Sequence, residues 1–280
     1  MAYVTKDIRG SYPGFSNFFK RRLLRVVPNY WVYLTLCVAV LLARPDWFYT
    51  ASFEVRGAVL SYLLIPYRPA GELAPLLHVG WTLWYEMYFY VLVALGLALS
   101  GRRFIIALGA LFACSVAFGG YLSRYGAVFD VISNPILFEF YAGFVLGSLY
   151  LSKTRLPGIF APACLVASLG LYALWLAGTI PFSIGIPSVL IVAGLSFTER
   201  RRKVKFPAML VRLGDSSYSL YLSHMFSLAA AAKIFGLVGL IPFLPPDLCI
   251  IALAAVSVAA GHILYLAIEK PLLRVLNKRL

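Results

Sequence analysis

Long apolar runs recur along this chain, and they limit its possible folds more than any other feature. A helix that crosses a bilayer needs about 20 mostly apolar residues, and hydrocarbon offers backbone groups no hydrogen-bond partner. Runs of roughly this length occur about eight times. They lie near residues 26–43, 80–99, 104–120, 135–151, 157–177, 181–197, 216–238 and 248–268. We therefore predict an all-α, polytopic membrane bundle of about eight transmembrane helices, in one domain covering residues 1–280.

The composition agrees, and the charge distribution predicts an orientation. Hydrophobic residues make up 61% of the chain and charged residues only 13%, which excludes an ordinary soluble domain. The net charge of +14 would suit nucleic acid, but the basic residues gather in alternate loops, as the positive-inside rule predicts. We expect an inner-membrane protein with both termini cytoplasmic and no nucleic-acid partner. Residues 1–25 would form a cytoplasmic arm and 199–215 a basic cytoplasmic loop.

Local signals predict several helix boundaries. Gly10, Pro13 and Gly14 indicate a loop within the N-terminal arm. Asp215 and Ser216 are typical of the cap of the next helix, and residues 269–271 (EKP) of a helix terminus. The apolar segment 58–66 is too short to span a membrane.

One carboxylate interrupts the apolar run that begins near residue 80. Glu86 lies about six residues, or roughly 9 Å, inside its predicted helix. An ionised group in hydrocarbon costs a few kcal/mol or more, so such residues usually face a bundle interior or a wet cavity and take part in function. Glu86 is a candidate catalytic residue that would act as a base, orient a histidine or bind a sugar hydroxyl. The alternative is a buried carboxylate that fixes helix packing.

A second polar group interrupts the run that begins near residue 216. Ser217, Tyr221 and His224 follow helical spacing and form a polar stripe that should face protein or water. His224 is therefore a second catalytic candidate, with a packing role as its alternative. Trp81 and Tyr85 would either stack on a sugar or belong to the interfacial aromatic belt.

The four cysteines, Cys37, Cys114, Cys164 and Cys249, all fall inside predicted spans, where a thiol behaves as a small apolar group. The sequence contains no Cys and His cluster with metal-ligand spacing and no glycine-rich phosphate loop. We therefore expect no bound metal and no resident cofactor.

Four segments in a fixed order resemble the landmarks of the membrane acyltransferase-3 family. They are residues 18–31 (FFKRRLLRVVPNYW), 81–90 (WTLWYEMYFY), 213–224 (LGDSSYSLYLSH) and 269–271 (EKP). The resemblance covers nearly the whole chain. It implies an enzyme that moves acyl groups, commonly acetyl, from a coenzyme A thioester onto hydroxyls of envelope sugars.

The resemblance also implies a donor site and a difference from the family. Arg21, Arg22 and Arg25 would hold the phosphates of acyl-CoA, expected to be acetyl-CoA, and basic residues at a helix end also serve topology and lipid headgroups. Tyr221, Trp81 and Tyr85 are the other candidate substrate-binding residues. Family members carry a proposed catalytic histidine in a first helix that this chain lacks, so we expect two missing N-terminal helices.

The resulting hypothesis is a membrane O-acyltransferase. Its partners would be membrane lipid, an acyl-CoA donor and an acceptor that is an envelope glycan or a lipid-linked sugar. The alternative hypothesis is a truncated, non-catalytic membrane protein that binds or carries a glycolipid.

Overall fold

The computed structural model describes residues 12–47, 53–96, 102–152, 156–179, 184–202 and 206–278. Within these ranges the regular secondary structure is entirely helical. The predicted all-α class is therefore confirmed.

Thirteen α-helices occur in the described ranges. They are α1 (Tyr12–Ala43), α2 (Val55–Tyr62), α3 (Trp81–Gly96), α4 (Arg102–Ala117), α5 (Gly119–Leu122), α6 (Ala127–Ile132), α7 (Leu137–Leu151), α8 (Phe160–Leu176), α9 (Gly185–Arg202), α10 (Ala208–Asp215), α11 (Ser217–Leu237), α12 (Pro246–Leu264) and α13 (Lys270–Asn277). A π turn, Tyr265–Glu269, joins α12 directly to α13.

Each of the eight apolar runs overlaps one of the longer helices, and the chain is a helical membrane protein. Three helical stretches, Asn17–Ala43, Ser217–Leu237 and Pro246–Leu276, are long and apolar enough to cross a membrane by themselves. A bent pair, Arg103–Ala117 with Gly119–Tyr125, makes a fourth if it is counted as one span. The count of eight spans stays a prediction.

The chain divides into two compact units, which are described separately. The terminal unit comprises residues 20–84 and 206–280, and the middle unit comprises residues 1–19 and 85–205. The interpretation of the whole chain as a single domain stays a prediction.

In the terminal unit, the segment around α2 is tied to α1 by side-chain hydrogen bonds. The Tyr30 hydroxyl donates to the Ser61 carbonyl oxygen at 3.2 Å, and Trp31 Nε1 donates to the Tyr62 carbonyl oxygen at 2.8 Å. The Leu76 backbone N–H donates to Ser61 Oγ at 3.0 Å, and burial raises the pKa of the neighbouring Tyr67 hydroxyl. The apolar segment 58–66 therefore contributes to a short helix fixed against α1.

Helices α11 and α12 of the terminal unit pack closely through a small residue. A Cβ placed on Gly261 would lie 2.8 Å from Leu220 Cα, so only glycine permits this approach. Small residues commonly allow such close contact between membrane helices, because packing replaces the hydrophobic effect there. This contact brings the polar residues of α11 next to the helix that leads to Glu269.

The core of the middle unit is largely aromatic. Phe89 lies in contact with Phe112, Phe140 and Phe144, at ring-centroid distances of 6.3, 5.5 and 6.3 Å. Phe104 meets Phe144 edge to face at 5.4 Å. Such ring pairs contribute about 0.5–1.5 kcal/mol beyond the area they bury.

Some predicted boundaries are wrong. Residues 12–25 of the predicted arm are helical, so Pro13 and Gly14 do not form a loop. Pro13 is the second residue of α1, in the first turn, where its missing N–H has no intrahelical partner to lose. Much of 199–215 is also helical, since α9 runs to Arg202 and Asp215 is the last residue of α10.

Two cap predictions need correction as well. Ser216 occupies the N-cap position of α11, but its hydroxyl donates backward to the Arg212 and Leu213 carbonyl oxygens, both at 3.1 Å. Glu269 is not at a helix terminus, because the π turn carries the helix on into α13.

Candidate functional site

The predicted site residues fall in both units. Arg21, Arg22, Arg25, Trp81, Tyr221 and His224 belong to the terminal unit, whereas Tyr85 and Glu86 belong to the middle unit. The terminal unit also contains polar residues that the sequence analysis did not identify as site residues.

A buried carboxylate network lies in the terminal unit around Glu269. This residue is only 3% exposed, and Ser219 Oγ donates a 2.6 Å hydrogen bond to its Oε2 atom. Asn29 Nδ2 donates to the same oxygen at 3.5 Å, and both donor residues are almost completely buried. Burying a carboxylate is costly unless it is hydrogen-bonded and paired with charge. The network supplies the hydrogen bonds, and an exposed arginine has a weaker electrostatic effect on the carboxylate.

That arginine is Arg25, which is exposed at the basic part of α1 and acts electrostatically on Glu269. Arg25, Asn29 and Tyr33 recur every four residues, so they lie along one face of α1. Tyr33 is buried, and its hydroxyl has no hydrogen-bond partner among the described residues. This face, the α1 polar stripe (Arg25, Asn29 and Tyr33), extends roughly 12 Å from an exposed cation into the protein interior.

Several buried polar atoms of the terminal unit have no hydrogen-bond partner among the described residues. They include Asn29 Oδ1, Trp84 Nε1, Ser223 Oγ, Ser257 Oγ and His262 Nδ1. Ser219 and Ser223 lie one turn apart on α11, so one helix face carries both hydroxyls. Each unsatisfied buried group costs about 1–3 kcal/mol, and such groups commonly bind water or a polar ligand.

His224 is half-buried, and its hydrogen bond favours one form of the ring. Its Nδ1 atom lies 2.7 Å from the Tyr221 carbonyl oxygen. A carbonyl oxygen only accepts, so Nδ1 carries the proton in this contact. The neutral imidazole then has its lone pair on Nε2. This arrangement suits a ring that accepts a proton from a hydroxyl.

Tyr221 connects His224's helix to the turn before α3. Its hydroxyl donates to the Val79 carbonyl oxygen at 2.5 Å and lies 2.6 Å from Thr82 Oγ1. The Thr82 hydroxyl also donates to the Val79 carbonyl oxygen, at 3.3 Å, and either hydroxyl can be the donor in the contact between Thr82 and Tyr221. The turn before α3 consists of residues His78–Gly80, and Trp81 follows it. His78 is exposed and Trp81 is half-buried. Tyr221 thus positions this turn through its hydroxyl, and the predicted substrate contact stays a prediction.

Glu86 of the middle unit is half-buried and accepts a hydrogen bond from the Tyr90 hydroxyl, one turn farther along α3. Tyr85 is 3% exposed and interacts with Asn134 and Asp130 of the same unit. Tyr85 therefore contacts protein rather than forming part of an exposed aromatic belt. The catalytic assignment of Glu86 stays a prediction.

The remaining arginines lie near the start of the terminal unit. Arg21 is exposed, and Arg22 is half-buried one turn before Arg25. Within the described ranges, no three His, Cys, Asp or Glu side chains are grouped closely enough to hold a metal ion.

Sequence reasoning missed Glu269, Ser219 and Asn29 as site residues. Glu269 directly follows the apolar run 248–268, so the cost argument applied to Glu86 could have identified it. Pro271 instead led to the prediction of a helix terminus, because proline commonly marks the end of a helix. No sequence signal distinguished Asn29 or Ser219 from other small polar residues.

Comparisons with known proteins agree with this architecture. Residues 3–266 match the acyltransferase domain of the acyltransferase-3 family. The exopolysaccharide production protein ExoZ of Rhizobium meliloti (strain 1021) is 32% identical over 278 residues, covering 97% of this chain and 85% of that protein. No solved structure matches the chain. The similarity favours an enzyme over a non-catalytic carrier, and the chain belongs to the acyltransferase-3 family and is an acyltransferase.

Proposed function

We propose that this protein is an O-acyltransferase of the inner membrane that transfers an acetyl group from acetyl-CoA to a hydroxyl of an exopolysaccharide or its lipid-linked precursor. The family match supports acyl transfer, and the name of the Rhizobium meliloti relative supports an exopolysaccharide acceptor. The apolar helices and the basic loops support the inner membrane with both termini cytoplasmic.

The α1 polar stripe is the observation that carries the proposal. Acyl-CoA is an anion with several phosphates at one end and a neutral thioester at the other. Arg22 and Arg25 offer charged donors for phosphate at the basic part of α1, where Arg21 adds a third positive charge. Asn29 and Ser223 then offer buried polar atoms deeper in the same unit. The arginines therefore match the charged phosphate end of acyl-CoA, and the buried neutral polar atoms match its thioester end.

The transfer reaction needs a proton acceptor. The acceptor hydroxyl oxygen attacks the thioester carbonyl carbon, a base takes the hydroxyl proton, and the carbon–sulfur bond breaks. Coenzyme A then leaves as a thiolate that takes up a proton. We assign the base to His224, because its Nδ1 contact leaves Nε2 as the accepting atom. Glu86 is the second candidate, acting either as a base or on the acceptor hydroxyl.

The donor site is tested by replacing one arginine and measuring the dependence of the rate on acetyl-CoA. Membrane vesicles containing Arg22→Ala or Arg25→Ala protein are given labelled acetyl-CoA and a lipid extract from cells making exopolysaccharide. Loss of a charged contact worth about 1.5–3 kcal/mol should raise the KM for acetyl-CoA by about 10- to 100-fold.

Arg212→Ala is the matched control, since Arg212 is exposed on α10 and lies outside the stripe. Its KM should stay at the parent value. An unchanged KM for acetyl-CoA in both Arg22→Ala and Arg25→Ala would contradict a donor site on α1. An absence of labelled product with the parent protein and every extract would contradict the proposed acceptor class.

A further inference from the structure

We propose that Arg44 and Lys233 bind the phosphate of a lipid headgroup beside Trp47, at the C-terminal end of α1. Lys233 Nζ lies 3.3 Å from the centroid of the Trp47 ring, and Arg44 Cζ lies 5.9 Å from the centroid of the same ring. All three residues belong to the terminal unit, and we name them the Trp47 cluster. This inference goes beyond the proposed function, because no step of acyl transfer involves these residues.

Backbone hydrogen bonds hold two members of the Trp47 cluster in place. The Arg44 backbone N–H donates to the Val40 carbonyl oxygen at 2.8 Å, which continues the last turn of α1. The Trp47 backbone N–H donates to the Arg44 carbonyl oxygen at 3.1 Å. Lys233 comes from α11, one turn before that helix ends at Leu237. The cluster therefore joins the end of α1 to the last turns of α11.

The positions of the two cations depart from the general distribution of charge in the chain. On the predicted topology, the outer side holds only five of the 25 Lys and Arg residues, which are Arg44, Arg56, Arg68, Arg124 and Lys233. Two of those five share one aromatic ring. The dipole of α1 favours a cation at its C-terminal end, but this accounts for Arg44 alone. A bound anion accounts for both cations.

Neither positive charge is neutralised by a carboxylate within the part of the chain that the structure describes. Arg44 and Lys233 are both exposed, and neither forms an ion pair there. Asp46, the carboxylate of the turn Pro45–Trp47, is exposed as well. A cation–π contact attracts a cation without removing its charge, so the N–H donors of both side chains stay available. Two cations that share a ring also repel each other, and an anion between them relieves that repulsion.

The surroundings of the Trp47 cluster point to a lipid as the source of the anion. Trp47 is 49% exposed, and tryptophan is enriched where helices leave the hydrocarbon core. Leu42 and Leu237, which lie near the two cations in sequence, are 59% and 87% exposed, as expected for side chains that contact hydrocarbon. Phosphate is the anion that lipid headgroups present at this depth, and Arg and Lys form charge-assisted hydrogen bonds with its oxygens. The cluster thus offers cations for the headgroup and apolar side chains for its acyl chains.

Photolabelling tests the proposal without requiring catalysis. The purified protein in detergent is exposed to phosphatidylglycerol that carries a diazirine in one acyl chain, and labelled peptides are mapped by mass spectrometry. Labels are expected on peptides within residues 37–47 and 230–240. Unlabelled dioleoyl phosphatidylglycerol should compete at these peptides at least about tenfold better than dioleoylglycerol, which has the same chains and no phosphate. Equal competition by the two lipids would overturn the proposal and leave only a contact with hydrocarbon.

Two substitutions remove one charge each from the Trp47 cluster. Lys233→Gln and Arg44→Gln should each raise the concentration of phosphatidylglycerol needed for half-maximal labelling about fivefold, and the double variant about 25-fold. Both side chains are exposed, so the variants should fold.

Arg56→Gln is the matched control, since Arg56 is an exposed cation of α2 that does not contact the Trp47 ring. Its labelling should stay at the parent value. Parent-level labelling of the double variant would overturn the proposal. An equal loss in Arg56→Gln would also overturn it, because net charge alone would then explain the effect.

A further competitor identifies the source of the phosphate. Decaprenyl phosphate carries its phosphate on a polyisoprenyl chain instead of a diacylglycerol. Stronger competition by decaprenyl phosphate than by phosphatidylglycerol would assign the site to a polyisoprenyl lipid, and equal or weaker competition would assign it to a bilayer phospholipid. Both results support the phosphate site. Neither requires acyl transfer, so the proposed function can fail while this inference stands.

Discussion

The terminal and middle units use their interiors in opposite ways. The terminal unit buries Glu269, Asn29 and Ser219 and leaves further polar atoms without a partner among the described residues. The middle unit buries apolar side chains that include several aromatic rings, such as Phe112 at 0% exposure, against which Phe89 packs. A low-dielectric interior makes unpaired polar groups expensive, so a protein retains them where they have work to perform. The terminal unit therefore has the more polar interior of the two, and it also contains the base proposed above.

The largest expected effect comes from replacing the proposed base. Loss of a general base typically costs 10²–10⁴ in rate, roughly 3–5 kcal/mol, so His224→Gln should lower the rate of acetyl transfer by that factor. The measurement is initial rate in vesicles at saturating acetyl-CoA, normalised to folded protein.

The same initial rate is measured for Glu86→Gln, which changes the catalytic candidate of the middle unit. A loss smaller than that of His224→Gln would support the division of roles between the units. A loss of 10² or more in Glu86→Gln, with His224→Gln near the parent rate, would place the base in the middle unit and reverse the comparison.

The buried carboxylate should have the next largest effect, this time on stability. Glu269→Gln replaces the charged acceptor of the Ser219 and Asn29 hydrogen bonds by a neutral one, and a hydrogen bond to a charged group is stronger by about 1 kcal/mol. We expect the free energy of unfolding in detergent to fall by about 1–2 kcal/mol. Denaturant titration followed by tryptophan fluorescence measures it.

Glu199→Gln is the control, because Glu199 is exposed at the end of α9 and its replacement should change stability by less than about 0.5 kcal/mol. Equal free energies of unfolding for the two variants would show that the hydrogen bonds to Glu269 do not stabilise the folded protein measurably. The terminal unit would then resemble the middle unit in this respect.

The smallest expected effect concerns the hydroxyl that fixes the turn before α3. Tyr221→Phe removes the donor to the Val79 carbonyl oxygen and should cost about 0.5–1.5 kcal/mol of stability. If Tyr221 only positions the turn, the KM values for both substrates should stay near the parent values. A rise of tenfold or more in the acceptor KM, with stability unchanged, would instead establish direct substrate binding by Tyr221.

The sequence predicted the helices well, because a long apolar run in a bilayer must satisfy its backbone hydrogen bonds internally and therefore forms a helix. It failed at the N-terminal arm, where Pro13 suggested a loop but lies in the first turn of α1, a position that tolerates proline. It also treated Pro271 as the end of a helix. The π turn before it widens the helix, so the proline ring is accommodated and the helix continues.

The candidate site was only partly predictable for a related reason. Glu86 and His224 stand out in apolar runs, so a cost argument finds them. Asn29 and Ser219 become distinctive only when α1, α11 and the π turn meet around Glu269. The Trp47 cluster depends on Arg44 and Lys233 approaching one ring, although the two residues are far apart in the chain. Such long-range proximity leaves no local pattern in the sequence.

The π turn at Tyr265–Glu269 has a consequence for how this helix could have arisen. A π turn is commonly one residue inserted into an α-helix, and one residue corresponds to about 100° of rotation around the axis. Deleting any residue of the turn would restore a regular helix and rotate α12 and α13 relative to each other by that angle. The Glu269 carboxylate, which is now enclosed by protein, would then point in another direction, so the gain or loss of one codon decides which face of the helix carries it.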